Sequence, residues 1–141
     1  MRYSSKREVV TCANAPAAIG PYSVGIATDS LVFVSGQLGI DPTSGTIVEG
    51  GIQAQTRGAL TNLKSVLECA GSSLEHVVKT TVFMTDMAQF AEMNAIYAEF
   101  FTSDFPARSA IQVAALPKGG IVEVEAIAVL PQQHESNSGC Q

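Results

Sequence analysis

The chain has 141 residues, 46% hydrophobic and only 15% charged, with a formal net charge of −5 and a pI near 4.9. That length suits one domain able to bury a core without metal or disulfides, and so many apolar side chains for so little charge imply apolar surface covered by another subunit. An acidic chain with no Lys/Arg cluster opposes a phosphate-neutralising grip on nucleic acid, and no apolar run is long enough to span a bilayer.

The opening "MRYSSKREVV" has basic residues with no apolar stretch behind them, and Glu8 and the strand-like "VVT" argue against a transit peptide, so the expected location is the cytoplasm. Cys12, Cys69 and Cys140 form no CxxC pair, and their odd number argues against a disulfide framework; they read as free thiols in a reducing compartment. "LVFVSGQLGI" (31–40) is β-branched and aromatic but broken by Gly36, and "DPTSG" (41–45) carries turn residues, giving strand, turn, strand.

From Ile52 the apolar positions Ala59, Leu60, Leu63, Val66, Leu67 and Ala70 follow helical spacing, and Gly71 supplies the stop. "HVVKTTVFMTD" (76–86) alternates as a strand. Asp86 with Gln89 resembles an N-cap and its capping-box partner, opening a second helix from Met87 to Phe101. Its stripe of Phe90, Met93, Tyr97 and Phe101 is expected to face the sheet.

Pro106 then leads into two closing strands, and the order β, β, β, α, β, α, β, β defines an α+β layer with helices on one face. One domain over 1–131 is expected, with the polar stretch 132–141 a disordered tail.

The closing strands carry the chemistry. In "VEVEAIAV", Val122, Val124, Ala126 and Ala128 share one face, suited to packing under helices, and Glu123, Glu125, Ile127 and Val129 share the other. Carboxylates among branched aliphatics point to a subunit interface with a polar pocket. If "ARSAIQ" and this strand form a hairpin about "LPKGG", the pairing that keeps apolar with apolar puts Arg108 on the glutamates' face, about 13 Å from Glu123 at roughly 3.3 Å per residue. A slip of one residue would reverse that assignment.

Arg108 offers a planar fork of donors for a carboxylate, and Glu123 or Glu125 a general base for a water; a structural ion pair between them is the competing reading. Tyr22 after a Gly-Pro turn is either a ligand hydroxyl or a half-buried turn tyrosine, and Gly36 either a close approach to ligand or a plain bulge. Asn94 on the apolar side of the second helix needs a partner, whether ligand or adjoining loop. His76 and His134 lack ligand-spaced neighbours, Lys118 suits an exposed turn, and no phosphate loop or nucleophile–base pair appears.

Together "NAPAAIGPYS", "VSGQLGIDPTSG", "VKTTVFMTD", "FPARSAIQVAALPKG" and "VEVEAIAV" resemble the RidA family of reactive imine deaminases, also known as the YjgF type or L-PSP endoribonuclease family, over residues 9–130. The resemblance implies a chorismate-mutase-like α+β fold with a mixed sheet and two helices on one face. It also implies a homotrimer around a central β-barrel, with pockets between adjacent subunits. The implied activity is hydrolysis of 2-imino acids such as 2-iminobutanoate and 2-iminopropanoate to 2-oxo acids and ammonia, without metal or cofactor.

Carried over by position, Arg108 would clamp the substrate carboxylate, and Glu123 with the backbone carbonyl of Ala110 would hold the attacking water. Tyr22, the backbone around Ser35 and Gly36, and Asn94 would complete the pocket. Ala110 departs from the cysteine found in many bacterial relatives, which removes a modifiable thiol but leaves a backbone role intact. A ribonuclease or translation inhibitor, and a non-catalytic ligand-binding or chaperone-like trimer, are the competing functions.

Overall fold

Val122, Val124, Ala126 and Ala128 lie on one side of β6 (Val122–Val129) and are at most 3% exposed, a burial suited to the inside of a sheet. β6 is indeed internal, antiparallel to β3 (Leu31–Leu38) on one side and to β4 (Val77–Met84) on the other. β2 (Gly25–Ala27) and β1 (Glu8–Val10) continue the sheet beyond β3, and β5 (Ala107–Gln112) runs parallel to β4 at the opposite edge. The result is a six-stranded mixed sheet in the order β1-β2-β3-β6-β4-β5. This computed structural model describes residues 5–132; Cys140, His134 and the expected tail beyond Gln132 lie outside the described residues.

Helices α1 (Gly51–Cys69) and α2 (Phe90–Phe100) cover one face. The predicted stripe of α1 is buried at Ile52, Ala59, Leu60, Leu63, Val66 and Leu67, and the chain leaves the helix through Gly71 at φ 88°, a left-handed conformation that suits glycine. Asp86 caps the next element as expected, its carboxylate accepting from the Ala88 N–H at 2.9 Å. The first turn, Met87–Gln89, is 3-10, so α2 begins at Phe90 rather than at Met87. Met93, Tyr97 and Phe101 are buried against the sheet, and Phe90 packs at its margin. Arg57 and Glu99 tie the helices together on the surface through two hydrogen bonds of 2.8 and 3.2 Å.

Three expectations are corrected. The closing strands are not a hairpin: β4 lies between β5 and β6. β6 has two buried neighbours to satisfy, whereas every residue of β5 is exposed or half-buried, as suits an edge. After the Asp41–Gly45 turn, only an isolated Ile40–Ile47 bridge forms, and the third strand of the N-terminal half is the short β2 instead. There Asp41 gives both its backbone and its carboxylate to the turn, accepting from Gly45 and Thr43 at 2.8 Å.

The third correction concerns the thiols. Cys12 and Cys69 form a disulfide with Cα atoms 5.6 Å apart. Sequence counting missed it because the partners stand 57 residues apart and meet only when α1 packs beside the N-terminal segment.

The other face of the sheet carries Phe33, Phe83, Glu123, Glu125, Ile127, Val129 and Ile111, as the register with β6 and β4 requires. Phe33, Ile111 and Val129 are 41, 46 and 39% exposed, so this face is apolar and uncovered in the single chain.

Closing a loop of 57 residues, the disulfide should stabilise the oxidised chain by about 4 kcal/mol on a chain-entropy argument. A reductant is therefore expected to lower Tm by on the order of 10 °C in the wild type and to leave a Cys12→Ser/Cys69→Ser variant unchanged. Equal Tm values for the wild type with and without reductant would contradict the pairing.

Candidate functional site

The apolar-and-acidic face opens into a cavity of ≈ 680 Å³ bordered by Tyr22, Ser35, Gly36, Glu123 and Glu125, with Ile19 and Lys118 at its rim. Sequence dictates this local form. The pairing of β3 with β6 shifts between Val34 and Gln37, a bulge centred on Ser35 and Gly36. A Cβ at Gly36 would lie 2.7 Å from the Glu123 carboxyl carbon, so glycine is what allows the carboxyl to lie against the β3 backbone. Of the two sequence readings of Gly36, the bulge is what the strand pairing shows, and the close approach it permits is that of the Glu123 side chain.

Ser35 binds the preceding loop twice: its hydroxyl donates to Ser23 O at 2.6 Å and its N–H to Val24 O at 2.9 Å. That loop presents Tyr22, whose side chain is at the cavity with half its surface exposed.

The Glu123 side chain is half-buried, and its carboxylate accepts no hydrogen bond from another group among the described residues. Burial first, and then the like charge of Glu125, raise its carboxyl above the usual glutamate value. The folded state therefore binds more protons here than the unfolded chain. The stability tied to this group is present at low pH and is lost as pH rises through the folded pKa.

Arg108 lies elsewhere. It is paired with Thr80, which is in turn paired with Ala126, so its side chain emerges on the helix face, opposite Glu123. The expectation that Arg108 shares the glutamates' face fails because it assumed that β5 and β6 are neighbours. On this face the guanidinium donates through Nη1 to Asn94 Oδ1 at 2.7 Å. Its Cζ lies 4.7 Å from the ring centroid of Tyr97 and 5.3 Å from that of Phe90. Asn94 thus serves the arginine, not an adjoining loop. Arg108 makes no ion pair among the described residues, which removes the structural pair with Glu123 or Glu125.

The structure thus gathers the candidates into two groups: Tyr22, Ser35, Gly36 and Glu123 at the cavity, and Arg108, Asn94 and Ala110 along the β5 edge and α2. Phe90 and Tyr97 were read from sequence as core stripe alone; their spacing from Asn94, at i−4 and i+3, was the available sign that they flank whatever the amide holds. Lys118 caps an exposed turn as expected, donating to Gly45 O at 3.0 Å. Among the described residues there is no group of three or more His, Cys, Asp or Glu placed to hold a metal ion.

A mixed sheet with helices on one face and an acidic cavity on the other defines an α+β protein. The family described as Endoribonuclease L-PSP matches residues 12–130, and the chain belongs to that family. It is 51% identical over 123 residues to 2-iminobutanoate/2-iminopropanoate deaminase of Bos taurus, covering 87% of this chain and 90% of that one, and 48% identical to the Homo sapiens protein of the same name over the same shares. Among solved structures, RidA from an Antarctic Psychrobacter superposes with a TM-score of 0.84 at 43% identity, covering 87% of this chain and 99% of that one. TdcF of E. coli with bound serine gives 0.83 at 42%, over 86 and 98%.

A 13C titration of the Glu123 carboxyl should give a midpoint above that of glutamate in a reference peptide, and Glu125→Gln should move it down by removing the like charge. No movement in the variant would leave burial as the whole cause.

Proposed function

We propose that this protein hydrolyses 2-imino acids, 2-iminobutanoate and 2-iminopropanoate among them, to 2-oxo acids and ammonia. The chemistry needs few groups. An iminium carbon is already electrophilic, so holding the acid and orienting one water supplies much of the acceleration. Arg108 binds the substrate carboxylate through its guanidinium fork. Glu123, with the Ala110 carbonyl, holds the water and takes its proton as the oxygen attacks. Glu123 returns that proton to the amino nitrogen of the tetrahedral intermediate; the C–N bond then breaks as the hydroxyl proton passes to Glu123, leaving the 2-oxo acid and ammonia, and Glu123 gives up this last proton to the departing ammonia. A carboxyl raised above the ordinary range is a better base near neutral pH than a free glutamate.

The observation that carries this reading is that, among the described residues, Arg108 has no carboxylate partner and the half-buried Glu123 carboxyl no donor, each on its own face of the sheet. A homotrimer with shared pockets unites them: β5 of one subunit, with Arg108, Asn94 and Ala110, meets the cavity of Tyr22, Ser35, Gly36 and Glu123 on the next. The exposed Phe33, Ile111 and Val129 support such an assembly, since an apolar face of this kind needs a cover. In the cytoplasm, the location within this proposal, glutathione would hold Cys12 and Cys69 as adjacent thiols.

Ribonuclease activity, which the family description names, finds less support: the eight Lys and Arg are outnumbered by thirteen Asp and Glu.

The test generates 2-iminobutanoate with an amino-acid oxidase and traps surviving imine with semicarbazide. Wild type should remove imine before trapping, and Arg108→Ala should lose about a hundredfold in kcat/KM while keeping its oligomeric state. An inactive wild type of correct mass would overturn the deaminase reading. Arg108→Ala and Glu123→Ala, each at about 1% of wild type or below alone, should when unfolded and refolded together recover about a quarter of wild-type activity, because one pocket in three is then intact in mixed trimers. No recovery would place both groups in one subunit's pocket.

A further inference from the structure

We infer that the α2 side chains Phe90, Asn94 and Tyr97 form a cradle that holds Arg108 as an unneutralised cation, with Tyr97 as its positioning residue and Thr80 as the anchor of Tyr97. This deepens the proposed function, because it names what prepares the carboxylate clamp.

The geometry closes on itself. Thr80 and Arg108 are opposite one another across the parallel β4–β5 pair. The Thr80 hydroxyl, fully buried, is 2.8 Å from the Tyr97 hydroxyl. The Tyr97 ring in turn lies against the Arg108 guanidinium, 4.7 Å from centroid to Cζ. Backbone register, a buried hydrogen bond and a cation–π contact thus form a triangle with no loop residue in it. Phe101 backs the Tyr97 ring at 4.6 Å between centroids, so the ring has little room to turn away.

The division of labour follows from the shape of a guanidinium. Aromatic rings attract its faces, whereas carboxylates bind along its edges. Asn94 Oδ1 accepts a hydrogen bond from Nη1, which leaves the Nε–Nη2 edge unclaimed among the described residues and open to an incoming carboxylate. A glutamate in place of these neighbours would hold the arginine as firmly but would compete with the ligand, and its desolvated charge would have to be displaced. Aromatic faces and one neutral amide position the cation without neutralising it. Tyr97 serves best as a neutral phenol, and burial, the largest influence on it, raises its pKa.

The test compares Tyr97→Leu, Tyr97→Phe, Thr80→Val and Phe90→Leu with wild type. It uses three readouts: KM and kcat for imine hydrolysis, calorimetric affinity for 2-oxobutanoate, and NMR of the Arg108 Nε–Hε group. Tyr97→Leu should raise KM and weaken 2-oxobutanoate on the order of tenfold with little change in kcat, and the Nε–Hε signal should broaden or exchange faster. Tyr97→Phe keeps the ring and should stay within about threefold of wild type, with Thr80→Val between the two. If Tyr97→Leu fails to fold, Phe90→Leu at the margin of the core tests the same cradle and should raise KM by a smaller factor.

Unchanged KM, affinity and Arg108 signal in the leucine variants, whatever happens to Tm, would reduce these rings to core packing and overturn the inference. A wild type that hydrolyses no imine would sink the deaminase reading alone. The Arg108 signal in wild type against Tyr97→Leu would then still decide the cradle.

Discussion

Side chains alternate along a strand, so β6 cannot bury Val122, Val124, Ala126 and Ala128 under the helices without turning Glu123, Glu125, Ile127 and Val129 to the other side. This constraint governs the rest of the molecule. It makes β6 an inner strand, puts β3 and β4 against it, and leaves β5 the edge. It also sets the character of the uncovered face, where two carboxylates lie among branched and aromatic side chains. The bulge at Ser35 and Gly36 is a local response to the same constraint, since an inward-leaning Glu123 needs a neighbour on β3 without a Cβ.

The electrostatics are organised by separation. Glu123 is half-buried beside a like charge, and Arg108 is held by aromatic rings and an amide on the opposite face. Had the closing strands formed a hairpin with both groups on one side, they would have been free to neutralise each other. The parallel β4–β5 pairing prevents this within a chain. Neither group has an ion-pair partner among the described residues of the chain. The stability of the chain is assigned to other groups: the α1–sheet core and, in the oxidised chain, the Cys12–Cys69 bridge.

Several elements were legible in the sequence because their signals are local. The spacing of Leu60, Leu63, Val66 and Leu67 with Gly71 behind it describes α1, and Asp86 marks the 3-10 turn that leads into α2. The two faces of β6 follow from period-two alternation. The missed features are non-local. The place of β5, the side from which Arg108 emerges and the Cys12–Cys69 bridge each depend on which segments become neighbours, and sequence proximity between β5 and β6 pointed to the wrong one. Tyr97 was legible as a core residue but not as support for a cation, because its partner stands on another element.

By itself, then, the sequence determined most of the elements, the sidedness of β6 and, through the "FPAR", "LPKG" and "VEVEA" segments, the family. Tertiary structure alone decided that Arg108 and Glu123 occupy opposite faces and that Tyr97 and Thr80 stand behind the arginine. The physical reason is that periodicity and capping are encoded within a few residues, whereas strand order follows from how much apolar surface each strand can bury against all the others at once.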